Sequence, residues 1–140
     1  MSGDRTFVDT NVFVYAYDSS AGLKRQKAQE IIAGLWDSGY GVVTTQVLQE
    51  FFVTVTRKLP KAMEPAAARD VISDLLKWEL VVVEGTMILD AINLHMKHGY
   101  SFWDSLILVA AGKAGCAVLL SEDLSSGHNI GGVTIRNPFE

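Results

Sequence analysis

The chain has 140 residues, of which 49% are hydrophobic and 20% charged, and carries a formal net charge of −4 from 16 acids against 12 bases. That length fits one domain able to bury its own core, and the composition excludes a disordered tail or an acidic solvating segment. The lone cysteine, Cys116, excludes an internal disulfide and any multi-cysteine zinc site, and its apolar setting predicts an inert buried thiol.

The N-terminus, Met-Ser-Gly-Asp-Arg-Thr, lacks the basic-then-apolar pattern of a secretory signal, and the longest apolar stretch, Leu106 to Leu120, is broken by Gly112, Lys113 and Gly115. A cytoplasmic, unprocessed protein without a membrane span is expected. The acidic balance argues against a polyanionic partner. If four acids gather around one cation, however, twelve acids face twelve bases, and a local nucleic-acid surface becomes feasible.

In chain order, Thr6-Phe7-Val8 reads as a strand that delivers Asp9 to its carboxyl end, where Thr10-Asn11 switch the pattern into an apolar, aromatic helix reaching Asp18. In an open α/β sheet, ligands bind beyond the carboxyl ends of the strands, which makes Asp9 a candidate for chemistry. Asp, Thr and Asn equally suit a helix N-cap. Ser19 to Gly22 form a turn, and Leu23 to Asp37 a helix whose Lys24, Arg25 and Lys27 either contact phosphates or form a solvated face. Tyr40 to Thr44 reads as a second strand.

Gln46 to Lys58 is an amphipathic helix built on Val47, Leu48, Phe51, Phe52 and Val55 and stopped before Pro60. Glu50 flanks its apolar stripe, positioned either to lean over a cleft or to occupy a wet face. Pro65 opens a helix over Ala66 to Trp78, and Glu79 to Val83 follows as a strand whose three valines suggest burial on both faces. A helix from Thr86 runs through Met96 and closes on Lys97, His98 and Gly99; His95 and His98 read as surface or helix-end residues. Ser101-Phe102-Trp103-Asp104 begins another helix with a capping-box pattern. The strand Cys116 to Leu120 leads into Ser121-Glu122-Asp123, again acids at a strand's carboxyl end; Leu124 to Gly132 reads as a mobile Ser/Gly-rich loop and Val133 to Arg136 as a last strand. The alternation predicts a single α/β domain, a mostly parallel sheet of about five strands with helices on both faces.

Asp9, Glu50, Asp104 and Asp123 are therefore candidates for one acidic site. Four carboxylates brought close would repel unless a cation neutralised them, and all-oxygen ligands without His or Cys suit Mg2+ or Mn2+ rather than zinc. Such an ion activates water and stabilises charge on a phosphate, so phosphodiester hydrolysis is the reaction best supported. Asn11 and Ser121 are candidate supporting residues, orienting a carboxylate or a water, although a turn Asn and a strand-end Ser would look the same.

The ordered set Phe7-Val8-Asp9-Thr10-Asn11, Val47-Leu48-Gln49-Glu50-Phe51, Ser101 to Ile107 and Leu119-Leu120-Ser121-Glu122-Asp123, with the closing Gly132 to Phe139, resembles the PIN-domain ribonucleases, and specifically the VapC-type toxins of prokaryotic toxin–antitoxin pairs. The resemblance covers essentially the whole chain, residues 1–140. It implies a Mg2+- or Mn2+-dependent endoribonuclease with Asp9, Glu50, Asp104 and Asp123 as the acidic site and Asn11 and Ser121 in support. It also implies a homodimer silenced by a cognate antitoxin that reaches into the acidic cleft, often with an Arg. Many relatives carry Thr where this chain has Ser121, which keeps the hydroxyl. Glu122 is expected to face solvent.

A receiver-like phosphoacceptor domain fails because its third strand ends Val83-Glu84-Gly85 and its fifth Arg136-Asn137-Pro138, without the required Asp and Lys. A PIN-like module that binds RNA or protein without cutting is disfavoured by the presence of all four acids. Structured DNA is disfavoured by the lack of the long insertions that thread a DNA end. Lys24, Arg25, Lys27, Arg57, Lys58 and Lys61 are candidate phosphate contacts.

Overall fold

Thr6–Val8 is short, β-branched and aromatic, and it forms the central strand, β1. A computed structural model of the chain describes residues 4–140; the expected unprocessed start involves residues 1–3, which lie outside the described residues. The elements that follow are α1 (Thr10–Tyr17), α2 (Leu23–Ser38), β2 (Gly41–Thr44), α3 (Thr45–Arg57), α4 (Pro65–Leu75), β3 (Glu79–Val81), α5 (Gly85–His98), α6 (Phe102–Lys113), β4 (Val118–Leu120), β5 (Asn129–Ile130) and β6 (Val133–Arg136).

The six strands form one sheet in the order β3-β2-β1-β4-β6-β5, parallel except for the β5–β6 pair. Sequence reading expected about five strands and a mobile loop over 124–132; instead Asn129–Ile130 pairs with Val133–Thr134 around Gly131 and Gly132, both at positive φ. A two-residue connection of this kind needs backbone conformations that glycine adopts without penalty.

Phe7 and Val8 are adjacent, point to opposite sides of β1 and are both fully buried, so helices cover the sheet on both faces. Helix α6 packs against β2, β4 and β6, while α2 and α3 pack against β2. The aromatic centre of the core joins Phe13 to Phe51 and to Trp78. Gly41 is required where it stands, because a Cβ there would lie 2.6 Å from the Trp78 ring.

Two further expectations are corrected. Helix α4 ends at Leu75 rather than Trp78, which lies in the turn before β3 with its ring buried in the core. The strand read over Glu79 to Val83 ends at Val81 and lies at the sheet edge, so Val82 is 56% exposed rather than buried on both faces. Cys116 is buried as expected, and burial pushes its thiol pKa up to about 12. Among the described residues, no helix is long and apolar enough to cross a membrane. His95 and His98 occupy the exposed last turn of α5.

Candidate active site

From β1 the chain moves to β2 on one side, and it later returns to place β4 on the other, with Val8 level with Leu120. The crevice beyond the carboxyl ends of these two strands is the topological switch point of the sheet, where open α/β folds bind ligands. Asp9 follows β1 directly, and Ser121, Glu122 and Asp123 follow β4. The backbone N–H of Asp9 donates to the Leu120 carbonyl at 3.0 Å, which extends the pairing by one residue and brings the two turns together.

A pocket of about 570 Å³ opens there, and Asp9, Asn11, Glu50, Asp104 and Asp123 all line it. Five of the six sequence-predicted residues thus meet in one cavity, brought from four separate segments. The sixth, Ser121, is fully buried behind the wall and donates from Oγ to Asp9 Oδ2 at 2.7 Å.

Each acid is held by a nearby donor or by the end of its element. Asp9 caps α1, its Oδ1 accepting the Thr10 N–H at 2.7 Å, so both of its oxygens are bonded. Glu50 Oε1 accepts from Thr10 Oγ1 at 3.0 Å. Asp123 Oδ2 accepts from Asn11 Nδ2 at 3.0 Å. Asp104 lies in the first turn of α6, where Ser101 Oγ accepts the Asp104 N–H at 3.1 Å, the Ser half of the capping box, and its carboxylate lines the pocket.

The electrostatics follow from this crowding. Burial pushes Asp9 up from 3.8 to about 6; the bonds from Ser121 and Thr10 oppose it, and the charges of Asp123 and Glu50 add to it. Burial likewise raises Asp104, with Asp123 contributing in the same direction. Negative charge is therefore held at a cost that a hard divalent cation would relieve. The donor set, carboxylate and amide oxygens without His or Cys, fits such an ion. Among the described residues, no three of these acids close into a ready-made cage. Mg2+ suits an open arrangement of this kind, because it keeps several of its waters.

Two residues behave differently from expectation. Glu122 does not face solvent: its carboxylate accepts from the Tyr15 hydroxyl and from Lys24 Nζ, and its side chain is only 22% exposed. Burial pushes Glu122 up, but the bonds from Lys24 and Tyr15 outweigh it and hold the carboxyl below its ordinary range. Lys24 is thereby engaged with an acid of the chain itself, whereas Lys58 lines the pocket. Sequence reasoning also missed Thr10 as the partner of Glu50; its place between Asp9 and Asn11 at the strand-to-helix switch was the available signal.

The PIN domain family profile matches residues 6–125, and the chain belongs to the PIN domain family. The fold is similar to that of a chain in a toxin–antitoxin complex from Klebsiella pneumoniae, at 14% identity and TM-score 0.69, covering 96% of this chain and 98% of that one. It is also similar to VapC20 of Mycobacterium tuberculosis, a sarcin–ricin loop cleaving toxin, at 20% identity and TM-score 0.65, covering 81% of this chain and 86% of that one. No curated protein matches the chain.

Proposed function

We propose that this PIN domain is an endoribonuclease that hydrolyses RNA phosphodiester bonds with Mg2+ or Mn2+ and acts as the toxin of a type II toxin–antitoxin pair. One observation carries the reading: Asp9, Asn11, Glu50, Asp104 and Asp123 line one pocket at the switch point of the sheet. The toxin assignment draws support from the two structural relatives, one taken from a toxin–antitoxin complex and one an RNA-cleaving toxin.

Asp9, Glu50, Asp104 and Asp123 would hold the cation. When bound, it supplies Lewis acidity, readying water for attack and stabilising charge on the phosphate. The protein's own groups supply preorganisation. Ser121 and the Thr10 N–H fix both oxygens of Asp9, Asn11 fixes Asp123, and Thr10 Oγ1 fixes Glu50. Lys58, on the pocket wall, is placed to meet a phosphate. The same acidic pocket is complementary to a guanidinium, which suits an antitoxin that silences the site with an Arg. Homodimer formation in the cytoplasm belongs to the same reading, and the exposed Leu89 and Met96 on α5 favour self-association.

The test is incubation of the purified protein with RNA and Mg2+ or Mn2+, with EDTA and Asp9→Asn as controls. Cleavage that needs the metal and is lost in Asp9→Asn is the expected result. The competing reading is RNA binding without cutting. It prevails if RNA binds but stays intact at high protein concentration.

A further inference from the structure

We propose that Lys24 is a positioning residue for the acidic site: by gripping Glu122 together with Tyr15, beneath the C-terminal Phe139, it fixes the turn that carries Asp123. This rests on the metal-dependent ribonuclease reading and extends it to residues outside the pocket's acids.

Glu122 stands between Ser121, which holds Asp9, and Asp123, which lines the pocket. Helix α1 grips this turn at two points four residues apart, and so on one face of the helix. Asn11 accepts the Glu122 N–H at 3.3 Å while donating to Asp123 at 3.0 Å, and Tyr15 donates its hydroxyl to the Glu122 carboxylate. Lys24, from α2, completes the grip on that carboxylate. Its ammonium also lies 5.0 Å from the Tyr15 ring centre and 5.8 Å from that of Phe139, within cation–π range of both. Tyr15 and Phe139 meet edge to face at 5.1 Å, and the Phe139 N–H is tied to Asn137 Oδ1 at 2.9 Å.

Two helices thus hold an acid that does not line the pocket, and a third part of the chain, the segment carrying Phe139, packs on both of its side-chain donors. A bare surface ion pair would have little effect on geometry. Here the carboxylate has two donors and the ammonium an aromatic roof, and their shared product is the orientation of the Ser121–Asp123 turn. Lys24 also neutralises the one acid of this turn that has no place at the cation.

The decisive measurement is Mn2+ affinity, read by electron paramagnetic resonance on the RNA-free, full-length protein with Lys24→Met. Removing a positive charge beside a cation site tightens binding if only the electrostatic field matters. Loss of positioning does the opposite, and we expect Mn2+ to bind about tenfold more weakly. With RNA, kcat falls while KM and the salt dependence of binding stay near wild type. The charge-swapped pair Lys24→Glu with Glu122→Lys, which conserves net charge, recovers much of the affinity. Phe139→Ala, which leaves all charges in place, weakens Mn2+ binding in the same direction and serves if Lys24→Met does not fold. Unchanged or tighter Mn2+ binding in Lys24→Met, or a raised KM with a flatter salt dependence, overturns the proposal. A wild-type protein that binds Mn2+ but cuts no RNA overturns the ribonuclease reading alone, since the affinity comparison still stands.

Discussion

Ser121 Oγ donates to Asp9 Oδ2 at 2.7 Å, a bond between residues 112 apart in sequence that lie just beyond two neighbouring parallel strands. Asp9 is buried, so this donor is one of two that make its charge tolerable, and the same hydroxyl accepts the Asp123 N–H at 3.2 Å. Ser121→Ala removes both links. Asp9 should titrate still higher than it does now, metal affinity should fall roughly tenfold or more, and cleavage at pH 7 should fall with it. A pH–rate profile checks the origin of the loss: its acid limb should move to higher pH in the variant. A lower rate with an unmoved acid limb would show that the hydroxyl acts on something other than Asp9.

Stability without metal should depend on pH in the reverse of the usual carboxylate sense. Asp9 is raised in the folded protein from 3.8 to about 6, so the folded state binds a proton more tightly than the unfolded chain does. Its stabilising contribution is fully present below about pH 4 and is lost as pH rises through about 6. The shift corresponds to about 3 kcal/mol between the two limits. Metal-free protein should therefore melt higher at pH 5 than at pH 7.5, and Mg2+ or Mn2+ should raise Tm more at pH 7.5 than at pH 5. Asp9→Asn abolishes the charge while keeping an acceptor for the Thr10 N–H, and should raise the metal-free Tm at pH 7.5 by roughly 5 °C. A metal-free Tm that climbs from pH 5 to 7.5 in the wild type, and falls in Asp9→Asn, would contradict this account.

Gly41 gives a prediction confined to packing. The Trp78 ring occupies the space where a side chain would begin, with three ring carbons 2.6–2.8 Å from the Cβ position. Trp78 is buried against Phe13 and Trp36 and has little room to retreat. Gly41→Ala should cost about 1–3 kcal/mol in urea unfolding, the range for overpacked cores. Because β2 lies next to β1 but carries no site acid, Mn2+ affinity of the folded fraction should be unchanged; a large loss of affinity would mean that strain at β2 reaches the site.

What was legible in the sequence was whatever a local pattern encodes. Asp9 and Asp123 could be placed because short apolar runs lead into them, Glu50 because its helix has a clear apolar stripe, and Asp104 because its helix opens on a capping-box pattern. The Gly131-Gly132 hairpin signal was also present between Asn129-Ile130 and Val133-Thr134, and a two-residue strand on one side made it easy to read as loop. Strand order has no such signature. The valines of Val81 to Val83 look like a central strand, and only the sheet order shows that β3 is an edge. The bond between Lys24 and Glu122 spans 98 positions, and nothing near either residue distinguishes it from a solvated charge.

Lys58 is the basic residue whose removal should affect phosphate binding rather than support of the acids. It follows α3 directly and is exposed, and among the described residues that line the pocket it is the only cation. A phosphate drawn towards the acids must pass a like-charged rim, so one ammonium there should have a disproportionate effect on RNA affinity. Lys58→Met should weaken RNA binding several-fold and reduce the slope of log affinity against log salt by about 0.7, the share of one contact to a single strand. Lys61→Met, at an exposed position away from the pocket lining, should change neither quantity. Fluorescence anisotropy with a labelled RNA over a salt series measures both. If Lys58→Met leaves the slope intact while Lys61→Met lowers it, RNA enters across a different edge of the pocket, along the loop that follows α3.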